Sequence, residues 1–575
     1  MQSVTDFIQR HLIKVRKPSQ YIAHEMNIVK KDWKEVKAKI CLVYPDRYEI
    51  GMSNLALQIF YDLINRKSAH VLERCFLPDS DMEEMLKERK VPLFSLESSK
   101  ALSEFDALAF SFSTELSFTN ALLALDLAFI PLLAKDRLAA EEMPIVYAGG
   151  GGVSNPLPMS IFFDFIVIGD GEDAFVEIAD MIYELKYVKK FSKLQILEEI
   201  NKKPWAYVPD LGKKVVKRNV YTGFLEEKLL TEPLVPLIDV VHGRFSLEIM
   251  KGCPRVCRFC QASYINKPLR IRDKDKLIEQ GMKVIEKTGY QELSLSSLSS
   301  GDHPQIISLL KELNQECYER QVSLSLPSLR VDSFTDELSF MMNKVRQTGV
   351  TIAPEAGSQF LRDVIKKQIT EEDILRTAKF ASLNSNKSIK MYFMIGLPRE
   401  TTKDLEELVA LVYKIMDYIK PKKNKLIINI SNFVPKPFTP FQWCAQDSVE
   451  VLEEKLSFFK SNLRHRQMEL RWTDTNLSKL ESILSRGDEK VAGLVLRAYQ
   501  NGASFDSWYD RFKYDIWDKS AEELGLDVDK YLKGYDLSEE LPWSFIDMVV
   551  TKDYLEKEYK SAYAVDNPAV TPISS

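Results

Sequence analysis

A chain of 575 residues with 45% hydrophobic and 28% charged residues has ordinary globular usage, which excludes a disordered or fibrous molecule. At roughly 150 residues per domain, its length predicts three to four domains, with enough chain for several cores. Lys and Arg (78) nearly balance Asp and Glu (83), so at a net charge of −5 no global basic field draws the chain onto nucleic acid.

Residues 1–20 alternate charged and apolar positions without an unbroken apolar run, which is not a secretory signal, and 1–37 read as an N-terminal extension. The longest apolar stretch, 121–134, is interrupted by Asp126 and Pro131 and falls short of the ~20 residues a membrane span needs. Seven cysteines are too few for a disulfide scaffold, so the expected setting is a reduced cytoplasm. Residues 38–190 alternate strand and helix. Strands are predicted at 40–44, 107–112, 145–148 and 165–168, with a helix over 54–65 that Ser53 caps. The strands at 145 and 165 run into glycine-rich turns, 149–152 and 169–172. This is the pattern of a doubly wound, Rossmann-like α/β domain.

Residues 191–241 form a bridging segment, in which 206–219 reads as a hairpin and Pro233 and Pro236 mark a linker. A second alternating region, 242–445, carries six predicted strands: 246–250, 292–298, 322–326, 350–353, 389–395 and 426–433. Helices are predicted at 274–288, 305–319, 336–348 and 373–383. Six strand–helix units make a partial (β/α)6 barrel, whose chemistry belongs at the C-terminal ends of the strands. From 446 to 575 strand signals fade into a charged helical region with a frayed tail at 567–575.

The sharpest motif is Cys253-Pro-Arg-Val-Cys257-Arg-Phe-Cys260, directly after the first barrel strand. Three thiolates on one loop fill three corners of a cluster or three sites on one metal. A closed zinc site needs a fourth ligand, and a strand separates the nearest candidate, His242, from the loop. Cys41, Cys75, Cys317 and Cys444 stand singly and read as small buried residues. Three ligands with an open position fit an iron–sulfur cluster better than a zinc knuckle.

C-x3-C-x2-C with an aromatic residue before the last cysteine resembles the radical S-adenosylmethionine (SAM) superfamily. The resemblance implies a [4Fe-4S] cluster on Cys253, Cys257 and Cys260 whose fourth iron is chelated by SAM. One electron then cleaves the sulfonium to a 5′-deoxyadenosyl radical, which takes hydrogen from the substrate. A reductant such as flavodoxin or ferredoxin is implied as partner. By the same resemblance Phe259 packs near the adenine, and Ser300, Gly301 and Asp302 form the turn that meets the methionine amino group. Arg330 and Asp332 bring charge to the barrel mouth. Glu355 and Gly357, completed by Arg362 and Lys367, belong to the ribose and carboxylate region, and Gly396 to the adenine-contacting turn.

The doubly wound domain ahead of such a barrel resembles the cobalamin-binding class of these enzymes, with the two glycine turns where that class approaches the corrin. Cobalamin proteins that ligate cobalt from below carry Asp-x-His-x-x-Gly after the first strand, whereas 44–51 holds no histidine here. Either cobalamin binds without a protein ligand, or the domain keeps the fold without the cofactor. The strings at 48–55, 163–174, 294–302, 326–332, 433–443 and 541–547 together resemble an uncharacterised bacterial family of fused radical SAM proteins. Its members often continue into a cysteine-rich stretch, and with none before Ser575 no second cluster is expected.

The leading expectation is therefore a radical SAM enzyme acting on a substrate that the resemblance leaves open. RNA modification by methyl or methylthio transfer is the alternative, from the likeness of 433–443 to methylthio-transferring enzymes and the basic run Lys422, Lys423 and Lys425. A rival of another class is a non-catalytic metal-binding scaffold that docks a partner through Trp508, Tyr509, Trp517 and Trp543.

Overall fold

The structure, a computed structural model, describes residues 3–212, 214–226, 229–326, 350–384, 388–419 and 424–566. Six strands build the first sheet: β1 (Lys39–Tyr44), β2 (Val71–Phe76), β3 (Ala107–Ser111), β4 (Ile145–Gly149), β5 (Phe165–Val167) and β6 (Ala206–Tyr207). Their order is β2-β1-β3-β4-β5-β6, all parallel except β6, which runs antiparallel to β5. Alternate residues face opposite layers, as the strand period of two requires. Leu42, Leu72, Ala109 and Tyr147 meet the helices Leu55–Lys67 and Glu172–Tyr183, while Val43, Leu108, Phe110 and Val146 face the other side.

β2 escapes a hydrophobic reading because Glu73 and Arg74 stand in its middle. All six of its residues are nevertheless buried, and Arg74 lies between Glu25 (2.9 Å) and Glu97 (2.6 Å) with none of its side chain exposed. The cap of the helix at 55 is Asn54, whose side chain accepts from Leu57 N (3.2 Å). Ser53 instead donates to Glu49 O (2.7 Å).

The hairpin expected at 206–219 does not form. β6 joins the first sheet, and β7 (Val216–Lys217) pairs in parallel with Ile546–Asp547 near the other end of the chain. Two-residue strands carry too little pattern to reveal partners so far away.

The second region begins with β8 (Phe245–Glu248), then β9 (Met250–Lys251) and β10 (Arg270–Ile271), which pair antiparallel and close the base of the cysteine loop. β11 (Glu292–Ser296) and β12 (Ser323–Ser325) complete a parallel arc, β12-β11-β8. A second parallel arc, β13-β14-β15-β16, comprises β13 (Val350–Glu355), β14 (Ile389–Ile395), β15 (Leu426–Asn432) and β16 (Met468–Trp472). Among the described residues a seventh strand thus joins the six expected. β16 is a half-exposed edge strand with no apolar run to announce it. Residues 327–332 with Arg330, the helix expected at 336–348, Lys422 and Lys423, and the tail 567–575 lie outside the described residues.

The C-terminal helices are not a separate lobe. Leu494, Val495 and Ala498 share the core of the first sheet's outer face with Leu122 and Leu125, so the apolar stretch at 121–134 is covered by protein. Asp506 accepts from Thr119 (2.7 Å) and Trp517 (3.0 Å), and Asn155 donates to Ser485 O (3.0 Å). Trp517 and Trp543 are core residues, Trp508 stacks under Arg47 (4.2 Å), and only Tyr509 is exposed. Among the described residues no helix is long and apolar enough to cross a membrane.

Candidate active site

The cysteine loop follows β9 at Gly252, whose φ of +87° makes the turn that lets β10 return beside β9. Cys253 and Cys257 are buried and Cys260 half-buried, and none is in a disulfide. The loop is tied internally: Arg255 N donates to Cys253 Sγ (3.5 Å), Cys260 N to Cys257 O (3.1 Å), and the buried Tyr264 hydroxyl to Val256 O (3.0 Å). Among the described residues no three His, Cys, Asp or Glu side chains stand as one closed metal-binding group. The fit of the loop therefore rests on its donor set, three thiols on one short, firmly held turn, which is the soft set that iron–sulfur clusters take.

The loop reaches the strand ends that the sequence singled out. Arg255 forks onto Asp302 (Nε to Oδ2, 2.8 Å), and Asp302 also accepts from Ser299 (2.7 Å). Ser300 is buried, 2.9 Å from the Ser297 hydroxyl, beside Gly301 at the end of β11. Phe259 packs on an apolar cluster that includes Ala356, Leu397 and Phe433, one from each of the turns after β13, β14 and β15.

Glu355 ends β13 at a register shift with φ of +67°, a conformation that non-glycine residues hold only where the surroundings force it, and it pairs with Lys367 (2.9 Å). Arg362 is placed differently from the expectation. Its buried guanidinium donates to Ala356 O (3.1 Å), Gly357 O (2.8 Å) and Gln359 (3.0 Å), so it shapes the 355–358 turn from within. Gly357 has a packing reason to be glycine: a Cβ there would lie 2.3 Å from Leu408 Cα. Gly357→Ala is expected to cost about 2–4 kcal/mol by pushing the helix Thr402–Ile419 off the strand end, read as a lowered thermal midpoint. At Gly396 the backbone N–H already donates to Glu400 (2.9 Å), a carboxylate that burial pushes up while Lys455 draws it back.

A second feature lies at the carboxyl ends of β1, β3, β4 and β5, where the strand order reverses. A cleft of about 280 Å³ opens there, walled by Ile59, Phe60, Tyr147 and Phe175 and rimmed by Gly149 to Gly151. Its far rim is Glu248, Lys251 and Asn266, the base of the cysteine loop. The Tyr147 hydroxyl, buried in this wall, has no hydrogen-bond partner among the described residues. No histidine is among the lining residues.

The 169–172 turn, expected to meet a cofactor through its glycines, also acts through its carboxylates. Asp170 binds Arg218 (2.8 Å) and Arg270 (2.5 Å), and Glu172 pairs with Lys251. Arg218 further donates to Lys267 O (2.6 Å), so the first domain and the bridging segment together grip the β9–β10 ribbon and its loop from one side. Burial alone would raise Asp170, but Lys251, Arg218 and Arg270 together hold its carboxyl below the usual range. These anchors were not legible in the sequence, because each partner is an unremarkable charge tens of residues from the other.

The family described as the radical SAM superfamily matches residues 247–412, and the N-terminal domain of radical SAM proteins matches 56–209. The chain belongs to the radical SAM superfamily. It is 29% identical over 465 residues to the uncharacterized protein MJ0966 of Methanocaldococcus jannaschii, covering 79% of this chain and 89% of that one. It is 24% identical over 230 residues to the threonylcarbamoyladenosine tRNA methylthiotransferase MtaB of Thermotoga maritima, covering 37% of this chain and half of that one. Among solved structures it shares its fold with the cobalamin-dependent SAM radical enzyme OxsB, at a TM-score of 0.50 and 13% identity over 92% of this chain and 79% of that one. The domain pair makes this chain a radical SAM enzyme, of a superfamily that works with a [4Fe-4S] cluster and SAM.

Proposed function

We propose that Cys253, Cys257 and Cys260 hold the cluster and that SAM lies against the turns after β11, β13 and β14. The observation that carries this is the seating of Phe259 on the strand-end cluster, which brings the cysteine loop to the turns after β13 and β14, with Arg255 on Asp302 bringing it to the turn after β11. A cluster with one open iron supplies the electron that cleaves SAM to a 5′-deoxyadenosyl radical. The chain's own part is to hold and enclose. Ser300 and Gly301 offer a close backbone approach, Asp302 fixes Arg255 beside the loop, and the Glu355–Lys367 pair presents charge to the ribose and carboxylate side. Arg330 belongs to the same mouth on the sequence reading. A small acidic redox protein of the flavodoxin or ferredoxin kind is the expected electron donor. Anaerobic reconstitution with iron and sulfide, then dithionite and SAM, should yield 5′-deoxyadenosine; a protein that takes up only zinc and makes none would overturn the reading.

The cleft of the first domain fits the cobalamin reading. Its apolar walls suit a flat heterocycle, and the Tyr147 hydroxyl buried in them lacks an acceptor among the described residues. OxsB is itself a cobalamin-dependent enzyme by name. Titration of the full chain with hydroxocobalamin should show saturable binding, weakened about three- to tenfold by Tyr147→Phe as one neutral hydrogen bond is lost. Binding that the variant leaves untouched would place the ligand elsewhere, and no binding would mean a retained fold without the cofactor.

RNA as substrate is the second reading, supported by the likeness to tRNA methylthiotransferases and by the exposed Lys425. Its sign would be retention of tRNA that falls steeply with salt.

A further inference from the structure

The helix Lys552–Tyr563 lies far beyond both matched domains, yet it touches the cysteine loop. Arg258 stands between Cys257 and Cys260. Its backbone N–H donates to Ile365 O (3.0 Å), and its guanidinium donates to Val364 O (2.8 Å), Asp363 O (3.2 Å) and Glu558 Oε2 (3.0 Å). The other oxygen of Glu558 accepts from Lys366 (2.6 Å). The pair is shielded from water, with 8% of the Arg258 side chain and 12% of the Glu558 side chain exposed. Burial would raise the Glu558 carboxyl, but hydrogen bonds from Lys366 and Arg258 hold it below its ordinary value.

We infer that Glu558 is a positioning residue for the cluster loop, reaching the cysteines through Arg258. The inference rests on the cluster assignment above. Arg258 is flanked by two of the three thiols, so fixing its guanidinium at three acceptors and its N–H at a fourth fixes the backbone that carries them. Three acceptors come from the end of the helix Gln359–Val364 and one from the C-terminal helix, so the loop is completed only when that last helix is docked. The helix docks without help from this pair. Ala562 is buried with Leu397 and Phe433, the Tyr559 ring meets Trp443 at 5.8 Å, and Arg399 donates to Ala562 O (2.9 Å) and Val565 O (2.7 Å). Loss of the Glu558 charge should therefore loosen the loop while leaving the helix in place.

A second consequence concerns charge. Arg258 is a buried cation beside the thiolates, and Glu558 offsets it. Removing the anion favours the more negative, reduced cluster, so the midpoint potential should rise and the cluster become a weaker reductant.

The test compares full-length wild type, Glu558→Gln and Lys366→Gln. Before any cluster is loaded, amide exchange in a peptide spanning 253–265 should quicken about tenfold in Glu558→Gln, the loss expected for one charge-assisted hydrogen bond. Exchange in 552–563 should stay unchanged. Lys366→Gln leaves the Arg258 bond and should not alter the loop. After reconstitution, Glu558→Gln should show a raised midpoint potential and about tenfold slower 5′-deoxyadenosine formation, with Lys366→Gln shifting the potential the other way. Unaltered loop exchange in Glu558→Gln overturns the inference, and so does faster exchange shared by both peptides, which would mean only that the helix came off. Because exchange is read without a cluster, a wild type that never forms one would sink the functional reading separately from this result.

Discussion

Full-length protein carrying Cys257→Ala is expected to make no detectable 5′-deoxyadenosine under conditions in which the wild type does, and to keep its fold. The chemical half of this follows from coordination. Three thiolates leave one iron open to SAM, and two leave a cluster without its third protein corner. The structural half follows from how the loop is anchored. Gly252 and the β9–β10 ribbon close its base, Tyr264 holds Val256, and Arg258 is fixed by the 363–365 carbonyls and Glu558. None of these contacts uses the Cys257 sulfur. Replacing a buried thiol by a methyl group removes one heavy atom, a cost of about 1 kcal/mol. Circular dichroism and thermal midpoint should thus stay close to wild type while iron content and SAM cleavage collapse. Retained cleavage in the variant would remove Cys257 from the ligand set.

The parts of this molecule that were legible in the sequence are those whose signal is local. β14 was bounded correctly by an apolar run, and the helix Lys274–Thr288 was also bounded correctly, where the structure shows an Asp273 cap and a left-handed Gly289 at its end. The cysteine spacing singled out one loop, and glycines or charges after consecutive strands singled out turns that the structure brings beside it. What stayed hidden depends on partners remote in sequence. Arg362 carries the charge of a ligand-binding residue, but its guanidinium is engaged by the turn it was expected to extend. Asp170 and Glu172 looked like ornaments of a glycine turn and prove to grip the ribbon beneath the cysteines. Glu558 sits in a charged helix that a composition reading leaves to solvent, 300 positions from the arginine it holds. The C-terminal helices were legible as helices, but not as the cover of the first sheet, because amphipathic periodicity shows that a face is buried without showing against what.

The same lesson gives the largest stability effect. Arg74→Met is expected to destabilise the first domain by about 3–5 kcal/mol, because it leaves Glu25 and Glu97 buried without their shared cation. Burial already pushes the Glu97 carboxyl up, with Arg74 pulling against it. In the variant that pull is gone and the folded-state value rises further. A carboxyl whose folded value lies above its unfolded one binds more protons when folded, so its stability contribution is present at low pH and lost as pH rises. The deficit of Arg74→Met should accordingly be greatest near neutrality and shrink as pH falls toward the carboxylate range. Neutralising all three positions, with Glu25→Gln and Glu97→Gln added, should recover most of the loss, since a buried pair replaced as a unit leaves no orphaned charge. The measurement is the denaturant midpoint of the first unfolding transition for the single and triple variants at pH 5 and pH 7.5. A single variant as stable as wild type at pH 7.5 would show that β2 does not depend on its internal ion pairs. A triple variant no better than the single one would show instead that hydrogen bonds to the arginine, and not its charge, hold the strand in the sheet.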